Sequence, residues 1–339
     1  MKIIVTGAAG FIGFHTCLAL LKERHEILGV DNINAYYDVN LKFSRLSELK
    51  KLSELKNLNW HFIKVDLEDD NFINKIFKNF KPEIVIHLAA QAGVRYSIDN
   101  PKTYINSNLL GFSNIIENCR KFDINNFIYA SSSSVYGGNK KLPFKEIDAV
   151  DHPVSLYAAT KKSNEVVAHS YSYLYRIPST GLRFFTVYGP WGRPDMAPMI
   201  FANSILKGIP IKVYNFGKMK RDFTYIEDVV EAVIRCAKKP ATPNINFNQL
   251  KPEPSTSDAP HRIFNLGNSK PIKLLNFIEI LENELGKKAI KKFLPMQLGD
   301  VKETASDTTA LQEWIDFCPD TSLRSGIKKF ATWFLDYYK

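Results

Sequence analysis

Only four cysteines occur in 339 residues, Cys17, Cys119, Cys236 and Cys318, and their spacing forms no metal-ligand or disulfide pattern. That scarcity argues against a zinc module or a disulfide-stapled scaffold, and predicts a reducing, cytoplasmic setting with no metal. An unbroken apolar run is also missing. Residues 3–21 carry no Lys, Arg, Asp or Glu and follow Lys2, but glycines at 7, 10 and 13 interrupt them. Their pattern changes midway from strand-like to helix-like, so neither a signal peptide nor a membrane association is expected. No repeat or low-complexity tract is evident. Nor is there a concentrated basic block: the net charge is +10, yet Lys and Arg are scattered in pairs such as Lys50-Lys51, Lys140-Lys141 and Lys287-Lys288. Nucleic-acid binding would gather them into a stripe with interleaved aromatics, so no nucleic-acid partner is expected. A small polyanion such as a nucleotide diphosphate suits the excess charge better.

What is present alternates. Lys2-Ile3-Ile4-Val5-Thr6 reads as a buried strand, followed by Gly7-Ala8-Ala9-Gly10-Phe11-Ile12-Gly13, an apolar-periodic helix to about Leu21, and a second strand, Glu26 to Val30, ending at Asp31. Strand, glycine turn, helix, strand and acid is the layout of a dinucleotide-binding unit, although the spacing is G-x-x-G-x-x-G rather than G-x-G-x-x-G. The glycines Gly7, Gly10 and Gly13 let backbone approach a pyrophosphate, and the helix start at Phe11 and Ile12 offers free N–H groups. Asp31, followed by Asn32, can accept hydrogen bonds from a ribose diol and repels a 2′-phosphate, which predicts NAD rather than NADP. Residues 35–56 form a polar, Leu-containing insertion read as helical. A third strand runs from Trp60 to Asp66; Asp66, next to Leu67, either meets the adenine edge or is a solvated turn aspartate. Residues 72–80 are amphipathic. A fourth strand covers residues 83–90 and closes on Ala89 and Ala90, small enough for a dinucleotide to cross. Residues 103–119 read as a helix, and residues 127–130 as a fifth strand running into Ser131-Ser132-Ser133-Ser134. Those hydroxyls either contact a sugar or carbonyl, or cap the next segment. A sixth strand covers residues 179–185. The fold class predicted is α/β, a doubly wound parallel Rossmann sheet with ligands at the strand carboxyl ends. After Thr186 the chain becomes loop-rich, with helices near 198–207 and 274–285, a strand near 211–216 and a final amphipathic helix to Tyr338. This part predicts a smaller C-terminal α/β substrate-binding region. The expected division is 1–186 for NAD, with parts of 225–268 returning to that domain, and 187–224 with 269–339 for the substrate.

Tyr157 and Lys161 stand four apart in a helix-compatible run after Pro153, so phenol and ammonium share a face. A lysine charge beside a phenol favours the phenolate and lowers a pKa that is ordinarily about 10. Tyr-x-x-x-Lys also occurs on many ordinary solvated helices, so this pair alone decides nothing.

Taken together, the glycine turn at 7–13, Asp31, His87-Leu88-Ala89-Ala90, the serine strand-end, Tyr157-x-x-x-Lys161 and Arg221-Asp222-Phe223 resemble the extended short-chain dehydrogenase/reductase superfamily, the NAD-dependent epimerases and dehydratases. Within it, the stretches Asp31-Asn32-Ile33-Asn34-Ala35-Tyr36-Tyr37-Asp38, Gln91-Ala92-Gly93-Val94-Arg95-Tyr96-Ser97 and Arg183-Phe184-Phe185-Thr186-Val187-Tyr188-Gly189-Pro190-Trp191-Gly192-Arg193-Pro194-Asp195-Met196 are similar to UDP-glucuronate 4-epimerases. That resemblance implies a catalytic set of Ser132, Tyr157 and Lys161, with Tyr157 and Lys161 also touching NAD, and a homodimer built through two helices of the first domain. It implies Arg221 on the UDP diphosphate, Asp300 on the uridine ribose, and Asn108 in the active site unless it is a helix-surface amide. For a uronic acid, Thr186, Ser133 and Ser134 are candidates to hold the sugar carboxylate, and Arg95 and Arg193 are either its charge partners or structural ion pairs. Related 4,6-dehydratases carry an Asp-Glu pair where this chain has Ser133 and Ser134, which argues against dehydration. The expected reaction is inversion of C4 of a UDP-sugar, UDP-glucuronate to UDP-galacturonate, through a transient 4-keto sugar. Its rivals are a UDP-glucose 4-epimerase, a UDP-glucuronate decarboxylase and a non-catalytic NAD-binding regulatory protein.

Overall fold

A computed structural model describes residues 1–297 and 301–338. β1 (Lys2–Thr6), α1 (Phe11–Lys22), β2 (Glu26–Asp31), α2 (Val39–Lys56) and β3 (Trp60–Lys64) open the chain. α3 (Asp70–Phe80), β4 (Ile84–His87) and the short α4 (Tyr96–Asp99) follow. α5 (Pro101–Tyr104) passes through a π-helical stretch, Ile105–Leu110, into α6 (Gly111–Lys121). β5 (Asn126–Ser132) ends in a 3₁₀ turn, and α7 (Leu156–Tyr175), β6 (Ser179–Phe184) and β7 (Thr186–Tyr188) complete the first part. Then come α8 (Ala197–Lys207), β8 (Ile211–Val213), β9 (Lys220–Tyr225), α9 (Ile226–Lys238), β10 (His261–Leu266), β11 (Pro271–Lys273), α10 (Leu274–Leu285), β12 (Lys291–Phe293), α11 (Thr309–Ile315) and α12 (Leu323–Tyr337).

The main sheet has seven strands in the order β10-β6-β5-β4-β1-β2-β3, and every neighbour pairs in parallel. β-branched runs such as Ile3-Ile4-Val5 and Ile84-Val85-Ile86 are buried on both faces, as a parallel sheet between helices requires. Each such side chain contributes ~1.5–3 kcal/mol by leaving water. Two core clusters among the described residues flank the sheet at β1 and β4. One joins β1 and β4 to α1, α9, α10 and α12; the other joins the opposite face to α3 and α6. The strand order reverses between β1 and β4, so the adjacent turns diverge and leave a crevice at the carboxyl ends.

Differences from the sequence reading are local. The fourth strand ends at His87, and Ala89 and Ala90 are irregular backbone beyond it. The expected strand near 211–216 stops at Val213, and Asn215 and Phe216 both take left-handed backbone. The helix expected over 103–119 widens into the π stretch, which turns Asn108 into the interior. A seventh strand, β10, follows the irregular segment after Lys239 and hydrogen-bonds to β6.

Candidate active site

The crevice opens into a cavity of about 1150 Å³, lined along its length by residues from both parts of the chain. At one end lies the glycine turn. Gly7 has φ +73°, and a Cβ there would sit 2.8 Å from the Ala89 nitrogen; a Cβ on Gly13 would sit 2.0 Å from the Gly7 carbonyl oxygen. Only hydrogen fits at Gly13, so the first turn of α1 packs directly on the turn before it. Gly10 is the N-cap of α1 and no side chain caps the helix, leaving the first N–H groups without a side-chain acceptor. Gly7, Gly10, Phe11, Ile12 and Gly13 all line the cavity, as do Asn32, Leu67, Ala89 and Ala90. At the end of β2 the Asp31 carboxylate accepts from the backbone N–H of Ala9 at 3.1 Å and of Ile33 at 2.8 Å, which fixes it beside the turn. Asn32 donates to Asp66 at 3.2 Å, and Asp66 in turn accepts from the Glu68 backbone. An uncapped helix start, a close-packed glycine turn and a fixed acid one strand away fit an adenine dinucleotide.

In the middle of the cavity, Ser155 caps α7 by accepting from the Ala158 N–H at 3.1 Å. The cap places Tyr157 in the first turn and Lys161 one turn later, both on the wall. The Lys161 ammonium donates to the Ala130 carbonyl at 2.8 Å, and burial lowers its pKa to about 8. Burial raises the Tyr157 phenol above its ordinary value, while a hydrogen bond with Ser132 and the charge of Arg193 pull it down. The expectation that Lys161 lowers the phenol is therefore not met by the protein alone. Desolvation outweighs the charges around the ring, and the lysine is turned toward the end of β5.

The serine strand-end is held rigidly. Ser132 accepts from the Ser134 N–H at 3.1 Å, so it caps the 3₁₀ turn and faces the phenol at once. Ser131 points the other way and donates to Glu165 at 2.6 Å. Glu165 receives a two-pronged bond from the buried Arg183 at 2.8 and 2.9 Å, and Arg183 also donates to the Tyr136 hydroxyl at 3.0 Å. This buried network ties β5, β6 and α7 together behind the reacting side chains.

Ser133, Ser134, Thr186, Arg95, Arg193 and Arg221 also line the cavity. Arg95 lies over the Tyr214 ring at 5.5 Å, and Arg221 donates to the Lys220 carbonyl at 2.9 Å. Behind Arg221 the buried Asp222 accepts from the backbone N–H groups of Asn268, Ser269 and Ser306, which fixes β9. Arg193 is half-buried and paired with Asp195 through Nε at 3.1 Å and Nη2 at 2.5 Å. Asp300 lies outside the described residues.

Asn108 is buried, which excludes the surface-amide alternative, and it is not among the residues that line the cavity. Its amide exchanges two hydrogen bonds with the Gln91 backbone, at 2.8 and 3.0 Å, and donates to Thr160 at 3.0 Å. It thereby locks the segment after β4 to the turn of α7 between Tyr157 and Lys161.

The sequence reading assigned no role to Tyr36, Lys42 or Asp195, which also line the cavity. Tyr36 and Asp195 stood in stretches that carried the family resemblance; Lys42, on the expected helical insertion, gave no signal. Lys42 donates to Asn34 from within the Asp31 corner.

Chemically, the arrangement offers a dinucleotide cradle, a phenol able to exchange a proton, and hydroxyls and arginines on the same wall for an anionic ligand. A family model described as the NAD dependent epimerase/dehydratase family matches residues 3–248. The chain is 53% identical over 339 residues to Protein CapI of Staphylococcus aureus, covering all of both chains. It is 43% identical to the probable UDP-glucuronate 4-epimerase of Rhizobium meliloti (strain 1021), covering 100% of this chain and 98% of that one. Among solved structures, it matches the UDP-glucuronic acid 4-epimerase of Bacillus cereus in complex with UDP-glucuronic acid and NAD, with a TM-score of 0.87, 31% identity and full coverage of both chains.

Proposed function

The chain belongs to the NAD dependent epimerase/dehydratase family, and from that premise we propose that it inverts C4 of UDP-glucuronate, giving UDP-galacturonate. The observation that carries this reading is one cavity holding the Ser132–Tyr157 pair, Lys161 and, beyond them, hydroxyls and arginines where a dehydratase has carboxylates. Relatives named as UDP-glucuronate 4-epimerases, 42–43% identical to this chain over nearly its full length, support the substrate.

In this mechanism Tyr157 takes the proton of the sugar 4-hydroxyl and later returns one to the opposite configuration. Ser132 orients that hydroxyl through its bond with the phenol, and Lys161 keeps a positive charge one helical turn away. NAD, when bound, supplies a reversible hydride acceptor, so the sugar passes through a 4-keto form before C4 is restored. Gly7, Gly10, Phe11, Ile12, Gly13, Asp31, Asn32, Asp66, Leu67, Ala89 and Ala90 hold this cofactor. Arg221 and Asp300 hold the UDP. Thr186, Ser133, Ser134 and the arginines Arg95 and Arg193 hold the sugar carboxylate. A 4-keto uronate is a β-keto acid and loses CO2 when the breaking bond aligns with the carbonyl, so holding that carboxylate out of alignment is part of the task. On this reading residues 1–186 and the returning β10 serve NAD, and 187–224 with 269–339 serve the nucleotide sugar.

We also propose a cytoplasmic homodimer. Unpaired cysteines support the compartment, and no helix among the described residues is long and apolar enough to cross a membrane. The outer face of α7 exposes Val166, Tyr173 and Leu174, an apolar stripe suited to a second copy. Size-exclusion chromatography with light scattering tests the dimer. For the activity, UDP-glucuronate is incubated with the protein and the products followed by NMR. UDP-galacturonate is expected; UDP-xylose, or turnover of UDP-glucose alone, would overturn the assignment.

A further inference from the structure

The helical insertion after β2 takes no part in the mechanism above, yet its Tyr36, Tyr37 and Lys42 line the cavity. Arg45 of α2 is completely buried and has no carboxylate partner among the described residues. Its guanidinium donates to the Ala9 carbonyl in the glycine turn at 2.8 Å and to the Tyr37 hydroxyl at 2.8 Å. It also donates to the Trp191 carbonyl at 2.6 Å and the Gly192 carbonyl at 3.2 Å, while its Nε has no acceptor. A buried cation held by neutral oxygens and the Tyr37 ring is expensive to desolvate, and these contacts offset that cost. The geometry joins the cofactor turn to the loop that carries Arg193. Two further contacts grip the same loop. His15 of α1 meets the Pro190 carbonyl at 2.9 Å, and the Tyr36 hydroxyl donates to Asp195 at 3.0 Å. Asp195 occupies the Nε and Nη2 edge of Arg193, whose side chain lines the cavity.

We propose that Tyr36, Arg45 and Asp195 are positioning residues that brace loop 190–196 against the cofactor turn, so that Arg193 offers one fixed donor edge to the carboxylate of a uronic acid sugar. This rests on the proposed substrate and names the device that selects it. Because Asp195 offsets the charge, Arg193 acts as a directed hydrogen-bond donor rather than a free cation. The sugar is thus recognised without being locked by a naked charge. Arg45 binds the recognition of the sugar to an intact glycine turn.

The test is calorimetric titration of the NAD-loaded protein with UDP-glucuronate, UDP-glucose and UDP. Tyr36→Phe removes one hydroxyl and keeps the ring tilted against Tyr96. It should weaken UDP-glucuronate five- to tenfold while UDP-glucose and UDP stay within twofold and the melting temperature is unchanged. Arg45→Lys should produce the same selective loss and, in addition, lose NAD during gel filtration. A structural defect would instead weaken all three ligands together and lower the melting temperature of Tyr36→Phe. That outcome, or an unchanged UDP-glucuronate to UDP-glucose ratio in Tyr36→Phe, overturns the brace and leaves the proposed substrate standing. Wild-type protein that prefers neither sugar overturns both.

Discussion

Lys161→Met should stabilise the protein at neutral pH while abolishing its activity. Lys161 is 2% exposed and its ammonium has one described hydrogen bond, to the Ala130 carbonyl. Burial lowers its pKa from 10.5 to about 8, a difference that corresponds to ~3 kcal/mol between the two protonation states. Below pH 8 the lysine is charged in both the folded and unfolded chain, and the folded state carries the whole cost. Between pH 8 and 10.5 the unfolded chain binds more protons than the folded one, so stability rises with pH as the cost disappears. Methionine has similar length and no charge. It removes the cost but leaves Ala130 without the ammonium donor, which costs roughly 1–2 kcal/mol. The net gain at pH 7 is about 1–2 kcal/mol. Urea denaturation at equal NAD content, from pH 7 to 10.5, reads this as a difference between wild type and variant. Wild type should gain ~3 kcal/mol relative to Lys161→Met across that window, with the variant ahead at pH 7 and behind at pH 10.5. Parallel stability curves would refute the reasoning, because other titrating groups cancel in the comparison.

Three more outcomes can be checked separately. Tyr157→Phe should lower turnover by at least ~10³-fold with NAD content unchanged by absorbance, since it removes the exchangeable proton and keeps the ring; normal turnover would remove Tyr157 from the mechanism. Gly13→Ala should cost at least ~10-fold in NAD affinity by fluorescence titration, because its Cβ meets the Gly7 carbonyl at 2.0 Å and forces the turn open; wild-type affinity would show the turn is not the cofactor cradle. Arg183→Met should destabilise by ~3 kcal/mol in urea, leaving the buried Glu165 without its two-pronged partner; the partial reach of Lys162, 3.9 Å from Glu165, holds the loss at the lower end of the range for broken buried pairs, and a loss under ~1 kcal/mol would refute the network's role.

Legibility followed the sequence distance over which each feature is built. The glycine turn with Asp31, and the shared face of Tyr157 and Lys161, are each made by residues within one supersecondary unit, so spacing showed their local geometry, while the role of the pair came from the resemblance. Helix α10 likewise spans the residues its pattern suggested. Asn108 stayed open between active site and helix surface because a helical pattern does not reveal the π stretch in which the amide is buried. Arg45 was hidden for a different reason. An arginine on a polar helix is ordinarily solvated, and the partners that bury it lie 36 and 146 residues away.

Alternating strand and helix, with small residues at the strand ends, was enough to determine a parallel sheet and a dinucleotide crevice, because those follow from periodicity and backbone freedom. The tertiary structure alone decided the electrostatics. Burial raises Tyr157 and lowers Lys161, and Arg193 faces the cavity already paired with Asp195. Desolvation and charge pairing depend on which distant side chains surround a group, and that is set only when the loop after β7 folds back over the sheet.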